Sequence, residues 1–140
     1  MLAHLQIINN YFSTLDGVLP NLQTVDDDIL LSNNVNLATL DGFQNLQLVR
    51  GHVDIYRNAR LTIIGTGFSN LQSVEGHVNW NQNGPNSANN RYDSTAGSRS
   101  FCASARGALC PTTTRYLPSD FADDAHACCT AYCGANRVNC

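Results

Sequence analysis

Lysine is absent from this 140-residue chain, and charge of either sign is scarce, at 14% of residues. All 8 basic residues are therefore arginines, set against 11 acidic ones for a net charge of −3. That balance leaves no basic footprint for nucleic acid or an anionic membrane surface. Long hydrophobic runs are missing too: none approaches the ~20 residues of a membrane-spanning helix. Residues 1–8 (MLAHLQII) lack the basic start and the long apolar core of a signal peptide. They read as a repeat entered partway, as in a fragment or an incomplete gene start. Cysteine is absent from residues 1–101, and all six (Cys102, Cys110, Cys128, Cys129, Cys133 and Cys140) follow. An even, clustered set favours a disulfide-rich tail in an oxidising compartment and leaves the pairing open.

What the chain does have is asparagine, 17 of them, and a phrase repeated every 24 to 25 residues. Asn21-Leu22-Gln23-Thr24-Val25 returns as Asn45-Leu46-Gln47-Leu48-Val49 and again as Asn70-Leu71-Gln72-Ser73-Val74. Each copy is followed by a short strand (Ile29-Leu30-Leu31, Val53-Asp54-Ile55, Val78-Asn79-Trp80) and then by Asn34, Asn58 or Asn83. A period of this size is that of a solenoid whose units are stable only when stacked. Alternation puts Ile29, Leu31, Val53, Ile55, Val78 and Trp80 inward. His52, Asp54, Tyr56, His77, Asn79 and Asn81 then form an outward face, the candidate binding surface. Leu37 to Leu40 matches Leu61 to Ile64, with 12–15 as a looser copy. Gly17, Gly42 and Gly67 mark a corner that needs glycine's backbone freedom. Val18, Phe43 and Phe68 are expected to plug the core beside it. The recurring asparagines should satisfy backbone groups left over at a turn.

The phrase Phe43-x-Asn45-Leu46-x-x-Val49-x-Gly51-x-Val53-x-Ile55-x-x-Asn58-x-x-Leu61-x-x-Ile64 resembles the receptor L domain of the insulin receptor and epidermal growth factor receptor families. Residues 68–83 fit as well, while 18–40 carries Asp27 in place of the glycine. Leucine falls three residues after Asn34 and Asn58, at Leu37 and Leu61, whereas ordinary leucine-rich repeats place it two after. The resemblance covers residues 5–84. It implies an all-β solenoid, a single-stranded right-handed β-helix of about 3–4 coils, and a ligand-binding or adhesion surface outside the cell. It also implies fewer coils than a full L domain, so a structural fragment of a larger receptor-like protein is an alternative. No kinase, membrane span or second L domain accompanies it.

Three segments are expected: the β-helix over 1–84, a polar linker over 85–101, and a cysteine-rich tail over 102–140. Ser119-Asp120 resembles a helix N-cap and Gly134 a stop, which places one α-helix near 119–133. A cysteine-rich, furin-like region follows the L domain in the receptor families, but the dense spacing of that motif is not present here. The tail has no Cys-x-x-Cys knuckle, so structural zinc is not expected.

The chemistry to weigh is thin. His52 and His77 share a repeat position, with Asp28 one rung earlier. Adjacent rungs lie ~4.8 Å apart, close enough for two imidazoles to share zinc or copper. No third ligand is assured, so a solvent-facing column is the plainer reading. Asp26-Asp27-Asp28 lacks a spaced calcium loop and reads as a solvated turn. Arg50, Arg57 and Arg60 fall in one repeat and read as a solvated edge. A β-helix carbohydrate-active enzyme would need clustered carboxylates or basic residues on the strand face, and only Asp54 with His52 comes near. The expectation is a non-enzymatic recognition module without cofactor or metal, extracellular or at the cell surface. Its partner would be a protein or carbohydrate, with no nucleic acid and no membrane insertion.

Overall fold

A computed structural model describes residues 1–76 and 78–85. The described residues form an all-β solenoid of about three turns. Each turn contributes one four-residue strand and one two-residue strand. The long ones are β1 (Leu5–Ile8), β3 (Ile29–Ser32), β5 (Val53–Tyr56) and β7 (Val78–Asn81). The short ones are β2 (Thr24–Val25), β4 (Leu48–Val49) and β6 (Ser73–Val74). Stacking gives a four-stranded parallel sheet, β1-β3-β5-β7, and a three-stranded parallel sheet, β2-β4-β6. A third side is held by single bridges from Thr14 to Thr39 and from Thr39 to Ile63. The expected cysteine-rich tail and its expected helix, and the expected linker after Pro85, lie outside the described residues. No described helix is long and apolar enough to cross a membrane.

Register follows the repeat. Leu5 pairs with Ile29, Ile29 with Val53, and Val53 with Val78, so like residues sit above one another. The inward column Ile7, Leu31, Ile55 and Trp80 is buried, and Trp80 is fully enclosed. Parallel pairing needs each chain to travel round the coil before it meets its neighbour, and the 24-to-25-residue period supplies that distance. Leu15, Leu40 and Ile64 fill the core from the third side, and Leu22, Leu46 and Leu71 from the approach to the short strands. Each buried aliphatic side chain contributes roughly 1.5–3 kcal/mol relative to exposure.

Two expectations about the corner change. Phe43 and Phe68 are buried and stacked, their ring centroids 5.3 Å apart at 9°. Val18 is 56% exposed and plugs nothing; Leu19 packs against the core in that place, its carbonyl accepting from Leu22 N–H as those of Phe43 and Phe68 accept from Leu46 and Leu71. The glycines of that corner also have two different reasons. Gly17 has φ +70° and open space around it, so backbone conformation calls for glycine there. Gly42 and Gly67 do not have positive φ. A Cβ on either would run into the carbonyl oxygen of Leu15 or Leu40 on the preceding turn. Close approach of two coils, not backbone angle, excludes side chains at those positions.

Asn34, Asn58 and Asn83 form a buried ladder through the stack. The Asn34 main-chain N–H donates to Asn58 Oδ1 at 3.0 Å, and that of Asn58 to Asn83 Oδ1 at 3.1 Å. Side-chain amides reach back the other way: Asn34 Nδ2 donates to Ile7 O (2.9 Å), Asn58 Nδ2 to Leu31 O (3.0 Å) and Asn83 Nδ2 to Ile55 O (2.7 Å). Asn10 joins at the first turn, its N–H donating to Asn34 Oδ1 at 3.0 Å. The residue before each rung of the ladder is left-handed: Asn9, Asn33, Arg57 and Gln82 have φ between 54° and 58°. Asparagine tolerates that conformation better than arginine or glutamine does. The turn is thus bent at one residue and its backbone groups are satisfied by the next.

Candidate functional site

The outward face of β1-β3-β5-β7 carries the sequence-predicted surface. Asp54 is half-buried and lies in register between Leu30 and Asn79. Tyr56, also half-buried, lies between Ser32 and Asn81, the latter placed by its backbone pairing alone. Ser32 is buried, so the column through Tyr56 is more closed than the column Gln6–Leu30–Asp54–Asn79. Residues two apart on a strand share a face, which puts Asp54 and Tyr56 on one side of β5. Asp54, Tyr56 and Asn79 are therefore brought together. His77 and the six cysteines lie outside the described residues.

A second cluster forms at the edge where the short strands hand over to the long ones. His4, Asp28 and His52 each precede a long strand by one residue and so occupy one column. Their side chains lean toward the corner of the following turn. The Asp28 carboxylate lies over Gly51, and the His52 imidazole lies over Gly76. His4 leans in the same sense on Asp27, with Nδ1 3.7 Å from Oδ2. Corner positions 27, 51 and 76 are stacked by main-chain bonds, Gly51 N–H to Asp27 O at 3.2 Å and Gly76 N–H to Gly51 O at 3.0 Å. On a Gly51 side chain, a Cβ would meet Asp27 backbone and the Asp28 carboxylate. On Gly76 it would meet Gly51 backbone and the His52 ring. Asp27 stands where the two later corners have glycine, and its side chain faces His4.

The three consecutive aspartates do not act together. Asp26 pairs with Arg50 at 3.1 Å across the exposed surface. Asp28 Oδ1 accepts the His52 main-chain N–H at 2.7 Å. Asp27 faces His4. Arg57 in turn donates from Nε to Gln82 Oε1 at 3.0 Å, so Arg50 and Arg57 point to separate partners. The convergent set is His4, Asp27 and Asp28, whose potential ligand atoms lie within 4.8 Å of one another. His4 does not stand out in the sequence, because no Asn-Leu-Gln phrase is seen ahead of Leu5 as it is ahead of the later long strands. The signal was there: Leu5-x-Ile7 precedes Ile29-x-Leu31 by 24 residues and puts His4 in the column of Asp28.

Compared with protein-family models, with curated proteins and with solved structures, the chain matches none.

Proposed function

We propose that the chain is a non-catalytic recognition module, working outside the cell or at its surface, that binds a protein or carbohydrate on the outward face of β1-β3-β5-β7. The observation that carries this reading is the in-register patch of Asp54, Asn79 and Tyr56. Half-buried side chains on stacked rungs have little rotamer freedom left to lose, and an interface benefits from that preorganisation. An aromatic ring beside fixed hydrogen-bonding groups suits both ligand classes. A solenoid also extends such a surface along its axis for an elongated partner. Asp54 has Leu30 and Asn79 as register neighbours, neither a carboxylate, which favours contact over paired-carboxylate hydrolysis. The resemblance to the receptor L domain leads to the same reading, and the clustered cysteines support an oxidising compartment.

Binding of the full chain to a glycan array and to a panel of extracellular protein domains tests the reading. Tyr56→Ala with Asp54→Ala should weaken any specific hit at least tenfold, or about 1.4 kcal/mol. A hit unchanged by both substitutions places the contact elsewhere, and no hit in either panel removes the proposal. Location is tested separately by counting thiols in the folded, secreted protein. None should be free, and six free thiols would overturn the extracellular assignment.

A further inference from the structure

Of the side-chain clusters outside the recognition face, one combines an imidazole with two carboxylates. We propose that His4, Asp27 and Asp28 form a three-donor site for a borderline divalent cation such as Zn²⁺ or Co²⁺, at the first rung of the solenoid. Their ligand atoms already lie within 4.8 Å of one another, and His4 Nδ1 is 3.7 Å from Asp27 Oδ2. Tetrahedral ligation with bonds near 2.0–2.2 Å brings donors to roughly 3.4 Å apart. Rotation of the His4 and Asp27 side chains, 36% and 68% exposed, closes that gap without moving the backbone.

Two features make this more than neighbouring charges on a surface. The Asp28 carboxylate is oriented by the His52 main-chain N–H at 2.7 Å, which occupies Oδ1 and leaves the group a second oxygen to give. Such outer partners hold metal ligands in place. Main-chain bonds pin both aspartates as well: Leu5 N–H donates to Asp28 O at 3.0 Å, and Gly51 N–H to Asp27 O at 3.2 Å. The second feature is the break in the repeat. In every described rung the column residue leans on the next corner, but among these only His4 meets a corner that carries a side chain. Gly51 and Gly76 offer no donor to Asp28 or His52, so the later rungs cannot reproduce the set. Imidazole with two carboxylates selects zinc-like ions. Three protein donors are too few for calcium, which takes six to eight oxygens. A position on the ion stays open to water or to a partner's group.

The site does not depend on the recognition reading, because metal uptake is measured without any other ligand. The experiment is titration of the full, oxidised chain with Co²⁺, followed by absorption and competed with Zn²⁺. Cobalt separates this site from the cysteine tail, since thiolate ligation adds an intense sulfur-to-metal band that nitrogen and oxygen ligands lack. One equivalent should bind without that band. His4→Ala and Asp27→Asn should each weaken it by about 100-fold or more, beyond the 10–100-fold loss of an outer partner. Both residues are exposed, so circular dichroism and the thermal midpoint of the metal-free variants should match the parent. Uptake equal in parent and His4→Ala, uptake only with the thiolate band, or no uptake at all would each overturn the site.

Discussion

Asn58 shows how much one buried polar side chain can carry. It donates to Leu31 O and accepts from the Asn34 N–H, and it is fully buried. A buried group left without its partner costs about 1–3 kcal/mol. Asn58→Ala leaves at least two such groups and should cost about 3 kcal/mol or more in urea denaturation. Asn36 donates to Tyr11 O on the exposed surface, so Asn36→Ala should fall within about 0.5 kcal/mol. Equal effects of the two substitutions would mean that the ladder adds nothing beyond any surface asparagine. Asn58→Asp is expected to be worse than Ala, because it keeps the acceptor but buries a charge where an amide donated.

Among the elements, the strands are ordinary and the corners decide the packing. Short β-branched and aliphatic strands alternate as a half-buried sheet requires, and their register follows from stacking like on like. At the corner, a Cβ on Gly67 would meet the carbonyl oxygens of Leu40 and Ile64, both of them backbone that cannot rotate away. Gly67→Ala should therefore destabilise by about 1–3 kcal/mol, the cost of overpacking a tight contact. Gly17→Asn should cost less than about 1 kcal/mol, because the space is open and asparagine accepts positive φ. Thermal melts of the two variants discriminate the two reasons for glycine. The reverse order would show that backbone angle governs both positions.

For the whole molecule, stability is a sum of rungs and the contacts between them. β3 and β5 each have a strand on both sides, whereas β1 has one described neighbour. Native-state hydrogen exchange should be slower for the amides of β3 and β5 than for those of β1, because end rungs open at lower free energy than inner ones. Protection of β1 equal to that of β5 would mean that some other segment covers the first rung. The proposed cation site lies on this end, so metal binding should slow exchange around Leu5 first.

The coil was legible from residues alone. A phrase recurring every 24 to 25 positions, alternation at Val53 and Ile55, and asparagines at 34, 58 and 83 imply a parallel stack, an inward face and a satisfied turn. Those are local and periodic properties, and periodicity survives without coordinates. Asp54, Tyr56 and Asn79 were legible for the same reason. What the sequence could not decide is how one turn lies against the next. Gly42 and Gly67 look like Gly17 in sequence but answer to a neighbouring carbonyl rather than to φ. Val18 fits the aromatic column in sequence, yet the chain sets Leu19 in that place. His4 and Asp27 are 23 positions apart and meet only because the stack brings the column of one turn onto the corner of the next. Contacts between coils depend on how one turn seats on the next, and a repeating sequence does not say that by itself.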